Sequence, residues 1–323
     1  MKKIAVFDLH CDLLGTIDWS GYTLSFDSPE TNCSLSQLEM GGVKLQVMVL
    51  SGVTGLANGP VISGRNQVRL YQEMKKITKL DCFFAVENAS VLVDDSEPLE
   101  KGFERLKQYR EVEDILYVSL TWNDENRFGG GNLTDVGLKE DGEALLEWMN
   151  EMGIAVDFSH TSDRLAYDIF SYIDRKGLTI PILASHSNFR AVKDHPRNLP
   201  DDLALEIIRR GGIIGINFVQ RFIGSEPEKL IDHIEYGLSL GRHSLCLGAD
   251  FYGALEVPDQ LCPKRMMSPF FSTLSNASSY PILQEMLSKR LSSEDIEGLF
   301  WKNGTSFLRK INLRCQEQVS VYL

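Results

Sequence analysis

Short apolar runs rich in β-branched residues recur along the chain, separated by stretches that place apolar and charged residues at helical spacing. Eight such runs are IAVFDL (4–9), VKLQVMVL (43–50), CFFAVE (82–87), ILYVSLT (115–121), IAVDFS (154–159), TIPILAS (179–185), IIGINFV (213–219) and LCLGAD (245–250). Nearly continuous apolar runs of this length suit parallel strands covered on both faces. Between them, NQVRLYQEMKKITKL (66–80), EPLEKGFERLKQYR (97–110), DGEALLEWMNEMG (141–153), SDRLAYDIFSYIDRKG (162–177), DDLALEIIRRGG (201–212) and EKLIDHIEYGLSLGR (228–242) predict amphipathic helices. Several of them stop at glycine, the residue that ends a helix most cheaply.

Eight β-then-α units make either a closed barrel or a doubly wound sheet. The doubly wound dinucleotide-binding fold places Gly-x-Gly-x-x-Gly after its first strand. Here HCDLLG follows instead. The expected fold is therefore α/β, a (β/α)8 TIM barrel, with extra helices from residue 281 onward. A chain of 323 residues fits one such domain, 1–323. A Gly-rich loop, 124–139, follows strand four, and a long excursion, 252–280, follows strand eight.

Composition narrows the partners. The hydrophobic fraction is 43%, enough for a large core, and the net charge is −12. An acidic chain without basic runs argues against nucleic acid and anionic membrane as partners. No segment approaches the ~20 apolar residues of a membrane span. The N-terminal apolar run is too short for an export signal, and LRCQEQVSVYL at the end is no lipid-anchor signal. A cytoplasmic location is expected. The six cysteines (11, 33, 82, 246, 262 and 315) form no Cys-x-x-Cys and are expected as free thiols.

The chemistry-bearing residues fall at strand ends. His10, His160 and His186 close strands one, five and six; Glu87 closes strand three and Asp250 strand eight. In a (β/α)8 barrel those ends share one rim, where active sites are built. His10 and Asp12 are two apart on a strand, so both can face the mouth while Cys11 faces the helices. That geometry disfavours a Cys11 nucleophile paired with His10. Three histidines with Asp12 and Glu87 give five groups. With Glu87 bridging, each of two metals gains three protein ligands and keeps open positions for water and substrate. His233 and His243 follow a helical pattern and read as structural, as do Tyr71 and Tyr109.

The stretches DLHCD, AVENAS, VDFSHTSD, ILASHSNFRAVKDHPRNLPDD, GGIIGINF and LGADFYG resemble the membrane dipeptidase (renal dipeptidase, peptidase M19) family of amidohydrolase-like metal barrels. The resemblance implies zinc-dependent hydrolysis of dipeptides by a hydroxide bridging a binuclear site. It implies two Zn²⁺, one on His10 and Asp12, the other on His160 and His186, with Glu87 on both. It further implies that Arg197 binds the substrate carboxylate and that Asp250 handles the proton as the catalytic acid and base. Asn217 receives no role. The expected partner is a small peptide, with a homodimer left open.

Two positions depart from the family's pattern. Better-known members have Leu-Thr-His at the end of strand four, and that histidine contacts substrate. Here the chain reads Leu120-Thr121-Trp122, whose indole N–H donates but cannot accept or titrate. Trp122 takes this substrate-binding place, or Asn123 or Asn126 serves instead. Tyr252 stands where many members have aspartate. The mammalian members are secreted and lipid-anchored, and neither signal is present here. Other readings are a related barrel acting on another amide or a lactone, and a barrel that keeps metal but has weak or no catalysis because of Trp122. Lactonase-type and deaminase-type barrels usually carry His-x-His on strand one and often a bridging lysine; this chain has His-x-Asp and no lysine on strand four.

Overall fold

The computed structural model describes residues 4–52, 59–253 and 268–311. Eight strands close into a parallel barrel in sequence order: β1 (Val6–Cys11), β2 (Val43–Ser51), β3 (Asp81–Glu87), β4 (Ile115–Ser119), β5 (Ala155–Asp157), β6 (Ile182–Ala184), β7 (Ile213–Ile216) and β8 (Leu245–Leu247). Helices Gly59–Ile77, Leu99–Val112, Glu140–Met152, Asp163–Lys176, Asp201–Arg209 and Glu228–Gly241 occupy the predicted amphipathic stretches. Three more, Tyr280–Leu287, Ser293–Glu297 and Asn303–Lys310, follow as expected. Local chemistry sets their ends. The Ser162 hydroxyl accepts the Leu165 N–H at 2.9 Å to start Asp163–Lys176, and Gly177, at φ 63°, stops it.

The barrel closes at the β1–β8 seam. Asp8 pairs with Leu247 and Cys11 bridges to Phe251. The Asp250 N–H donates to the His10 carbonyl at 3.2 Å, and the Asp12 N–H to that of Phe251 at 3.0 Å.

The core has two layers. Inside the barrel lie Phe7, Leu9, Val47, Val49, Phe83, Tyr117, Leu183 and Cys246, joined from the C-terminal helix by Phe307, Leu308 and Ile311. That helix plugs the end opposite the strands' C-termini: the Asn303 side-chain N–H donates to the Leu245 carbonyl at 2.8 Å. Between barrel and helices lies the larger apolar layer, which includes Cys11, Tyr71 and Tyr109. Cys11, Cys33, Cys82 and Cys246 are buried free thiols. Cys262, Cys315 and much of the 252–280 excursion lie outside the described residues.

Two glycines let β6, β7 and β8 converge. A Cβ on Gly215 would stand 2.0 Å from the Ser185 carbonyl oxygen, and one on Gly248 1.9 Å from the same oxygen. Backbone cannot retreat here without breaking the ladder. Gly248→Ala is therefore expected to cost about 3 kcal/mol or more, as overpacking against backbone does, read by urea unfolding.

Every predicted run contains a strand, but most strands are shorter at the mouth than their apolar runs. TIPILAS shrinks to Ile182–Ala184 and ILYVSLT stops at Ser119. β1 differs in the other direction and carries His10 and Cys11 within it.

Candidate metal centre

The strand ends are turned by side chains that accept a backbone N–H two residues on. Asp8 accepts from His10 at 2.8 Å, Asp157 from Ser159 at 3.0 Å and Asn217 from Val219 at 2.7 Å. Asn88, just past β3, accepts from Ser90 at 3.2 Å. These Asx-type bonds compete with the sheet ladder and end it early. At β1 the register slips between Asp8 and Cys11. Strict alternation from the inward Leu9 would send His10 outward; the irregularity instead aims His10 into the mouth and Cys11 into the outer layer. Cys11 Sγ lies 3.7 Å from Met48 Sδ. Just past β5, β8 and β3, His160, Asp250 and Asn88 take φ of 66°, 62° and 69°. Non-glycine residues in this region cost about 1–3 kcal/mol each and persist where the surroundings hold them.

The predicted residues converge. Glu87 Oε1 lies 3.0 Å from His160 Nε2, 3.4 Å from His186 Nε2 and 3.7 Å from His10 Nε2. His10 Nε2 is also 3.6 Å from an Asp12 oxygen and 3.7 Å from Asp250 Oδ1. All six groups are buried. Donors about 2.0–2.2 Å from a shared tetrahedral cation stand roughly 3.3–3.6 Å from one another, so the separations from His10 and His186 suit metal ligation better than direct hydrogen bonding, while His160 is within reach of either.

The second nitrogen of each imidazole fixes its tautomer. Tyr117 spends its only proton on the Leu9 carbonyl at 3.0 Å, so its oxygen accepts from His10 Nδ1 at 2.8 Å. Asn123 Oδ1 accepts from His160 Nδ1 at 2.9 Å. Ser185 donates to Asp157 Oδ2 at 2.7 Å and accepts from His186 Nδ1 at 2.7 Å. All three rings thus turn Nε2 inward. Nε2 of His10 and of His186 are buried without any hydrogen-bond partner. Native interiors rarely leave such atoms unpaired, and inward lone pairs beside carboxylates are what a divalent cation needs. Ser185→Ala leaves the His186 Nδ1–H without its acceptor. It is expected to weaken metal binding about 10–100-fold, measured by titrating metal-free protein with Zn²⁺ against a competing chelator.

Charge follows the same logic. Burial holds the imidazoles of His160 and His186 well below their usual range, and the positive charges of Arg197 and His10 add to it. Both are neutral at pH 7, as metal ligands must be. Burial alone would depress His10 too, but Asp12, Glu87 and Asp250 outweigh it and push it up to about 10. Without a cation, a proton answers those carboxylates; loading the metal releases it. Burial raises Asp250 to about 7, with His10 opposing and Asp12 and Glu87 adding to the rise. Asn217 donates to Asp250 Oδ2 at 2.8 Å and to the His186 carbonyl at 3.3 Å, which leaves Oδ1 toward the cluster.

Arg197 is 5% exposed, so it is no surface ion pair. Its Nε has no hydrogen-bond partner, and no carboxylate lies within pairing distance among the described residues. A buried, unpaired guanidinium beside the cluster is suited to an anion. Trp122 is half-buried at the rim, its ring 6.0 Å from that of His160. Asn126 does not serve in its place. Its amide N–H groups go to Asn88 Oδ1 and the Leu120 carbonyl, and its oxygen accepts from Phe128 and Gly129. Asn123 binds His160 rather than facing substrate through its oxygen. Loop 124–139 packs on β5: the Asn132 N–H donates to the His160 carbonyl at 2.9 Å. His233 is a buried core residue that accepts the Phe189 N–H at 3.3 Å, and His243 is exposed.

Asp8, Tyr117, Asp157 and Ser185 hold the site but were not singled out by sequence, and Asn217, named there without a role, positions Asp250. The available signal was charge inside apolar runs: Asp8 in VFDLH and Asp157 in VDFS.

A closed parallel barrel with histidines and carboxylates gathered at its C-terminal mouth defines a (β/α)8 barrel with a candidate metal centre. The chain belongs to the membrane dipeptidase family, peptidase family M19, whose sequence model matches residues 63–319. Relatives include Dipeptidase aclJ of Aspergillus oryzae, 30% identical over 206 residues, which are 60% of this chain and 44% of that protein. An uncharacterized protein in the pqqA 5′ region of Klebsiella pneumoniae is 29% identical over 61% of this chain and 72% of its own length. The chain thus spans about half the length of several curated relatives it matches. Among solved structures, the dipeptidase AC, a metallopeptidase of family M19, superposes with a TM-score of 0.80 at 18% identity, covering 96% of this chain and 99% of that one. A metallopeptidase from Rhodobacter sphaeroides, liganded with a phosphinate mimic of the dipeptide L-Ala-D-Ala, gives 0.79 at 18% identity over 96% and 100%. At that identity the likeness is one of fold. No described helix is long and apolar enough to cross a membrane.

Proposed function

We propose that the protein hydrolyses dipeptides with a pair of divalent cations, zinc being the expected metal. One observation carries the reading: a single Glu87 oxygen faces three inward Nε2 atoms, two of them buried without a hydrogen-bond partner. His10 and Asp12 would hold one cation, His160 and His186 the other, and Glu87 would join both. When bound, the cations supply Lewis acidity that makes a water nucleophilic near neutral pH and polarises the scissile carbonyl.

The chain's own residues do the rest. Arg197 pairs with the substrate's terminal carboxylate and sets the distance from the free C-terminus to the cut bond. Asp250, held through Oδ2 by Asn217, takes a proton from the attacking water at Oδ1. It delivers that proton to the departing nitrogen as the carbon–nitrogen bond breaks. Trp122 forms the rim wall beside His160, with its indole N–H as a substrate donor.

The family and the aclJ dipeptidase support this substrate class. The test joins elemental analysis of the purified protein with a dipeptide panel that includes D-residues at the second position. Hydrolysis that a chelator abolishes and Zn²⁺ restores is expected. Stoichiometric metal with no dipeptide cleaved would instead favour the binding-protein reading that Trp122 suggests.

A further inference from the structure

The mouth holds a second arginine that this mechanism does not use. Arg221 lies on the short helix Gln220–Ile223 after β7 and is exposed. Its guanidinium stands 4.8 Å from the centre of the Phe222 ring, and that of Arg197 stands 5.4 Å from the same ring. Sharing one ring keeps the two guanidinium carbons within about 10 Å of each other. Phe222 is buried, and its carbonyl accepts the Asn198 side-chain N–H at 2.8 Å, which ties the ring to the loop that carries Arg197. His195 packs on the ring as well, 4.8 Å between centroids.

Neither guanidinium faces a carboxylate among the described residues, and one Arg197 nitrogen donates to the His186 carbonyl at 3.5 Å. Acidic residues outnumber basic ones by 45 to 33 in the chain. Arg105, Arg127, Arg190 and Arg210 each meet a carboxylate. Among the described residues Arg197 and Arg221 meet none. His195 adds no positive charge at neutral pH: burial, with Arg221 and Arg197 beside it, pushes it down to about 4. Two cations stacked on one apolar ring, without an anion between them, make a seat for a ligand with two negative charges.

We infer that Arg221 is a specificity-determining residue and that the preferred substrates are dipeptides with aspartate or glutamate at the C-terminal position. The inference rests on the dipeptidase reading, in which Arg197 takes the terminal carboxylate. The side-chain carboxylate of the same residue then lies about 4–6 Å further on, within the reach of its few bonds. Arg221 meets it there, and Phe222 provides an apolar floor for the intervening methylenes. Stacking holds the Arg221 fork in place before the substrate arrives, so little side-chain freedom is lost on binding.

The test compares kcat/KM for Ala-Asp and Ala-Glu with Ala-Asn and Ala-Gln, using both L- and D-residues at the second position, in the wild-type zinc-loaded protein and in Arg221→Gln and Arg221→Lys. The wild type is expected to prefer the acidic member of each pair by about tenfold, chiefly through KM, the worth of one charge-assisted contact. Arg221→Gln should bring the ratio near one, and Arg221→Lys should keep part of it. Hydrolysis without acidic preference, or a preference that survives Arg221→Gln, overturns this inference alone. Failure to cleave any dipeptide overturns the functional reading and this one with it.

Discussion

Replacing Glu87 with glutamine is expected to lower kcat/KM for dipeptides by about 10³-fold or more, because in the proposed centre Glu87 would be shared by two cations, and such a ligand is worth more than the 10–100-fold of an outer partner. The change is nearly isosteric, so the barrel should fold. Burial already raises the Glu87 carboxyl against the pull of His10 and Arg197, and a neutral amide removes the desolvation cost of its charge. What disappears is the anionic oxygen that faces three imidazoles. Elemental analysis should find metal content reduced in the same variant. Full metal content with wild-type turnover would remove Glu87 from the centre.

Asp250→Asn is expected to separate chemistry from metal binding. General acid–base catalysis contributes about 10²–10⁴-fold, and kcat should fall by that amount. The asparagine oxygen can still accept from Asn217, so the side chain keeps its place. Metal content and KM should stay close to wild type. A variant that loses its metal along with its turnover would make Asp250 a ligand, a role its 3.7 Å approach to His10 also permits.

The barrel was legible because a buried parallel sheet writes its strands as apolar runs and its helices as amphipathic ones. The cluster was legible because only six histidines exist and three fall at strand ends. What holds them was not. Tyr117 reads as one more aromatic in ILYVSLT, yet its hydroxyl fixes the His10 tautomer. Ser185 and Asp157 sit 28 residues apart and meet only when β5 and β6 pair. Alternation predicted that His10 and Asp12 share a face, but the irregularity that lets His10 follow an inward Leu9 depends on where Asp8 spends its carboxylate: on the His10 N–H, on Gln46, on the Ala249 N–H and on the Tyr280 hydroxyl. Such partners are set by three-dimensional closure, which no local pattern records.

In the proposed centre the cations would tie β1 to the ends of β3, β5 and β6, while the β1–β8 seam is closed by backbone. His10 and Asp12 arrive with the first strand, and Asp250 with the last, where its N–H grips the His10 carbonyl. A nascent chain that has not yet extruded its eighth strand has nothing to hold that end of the ring. If the mouth binds metal as proposed, a cation held by the closed ring and not by the open chain would stabilise the ring as its free concentration rises above the dissociation constant.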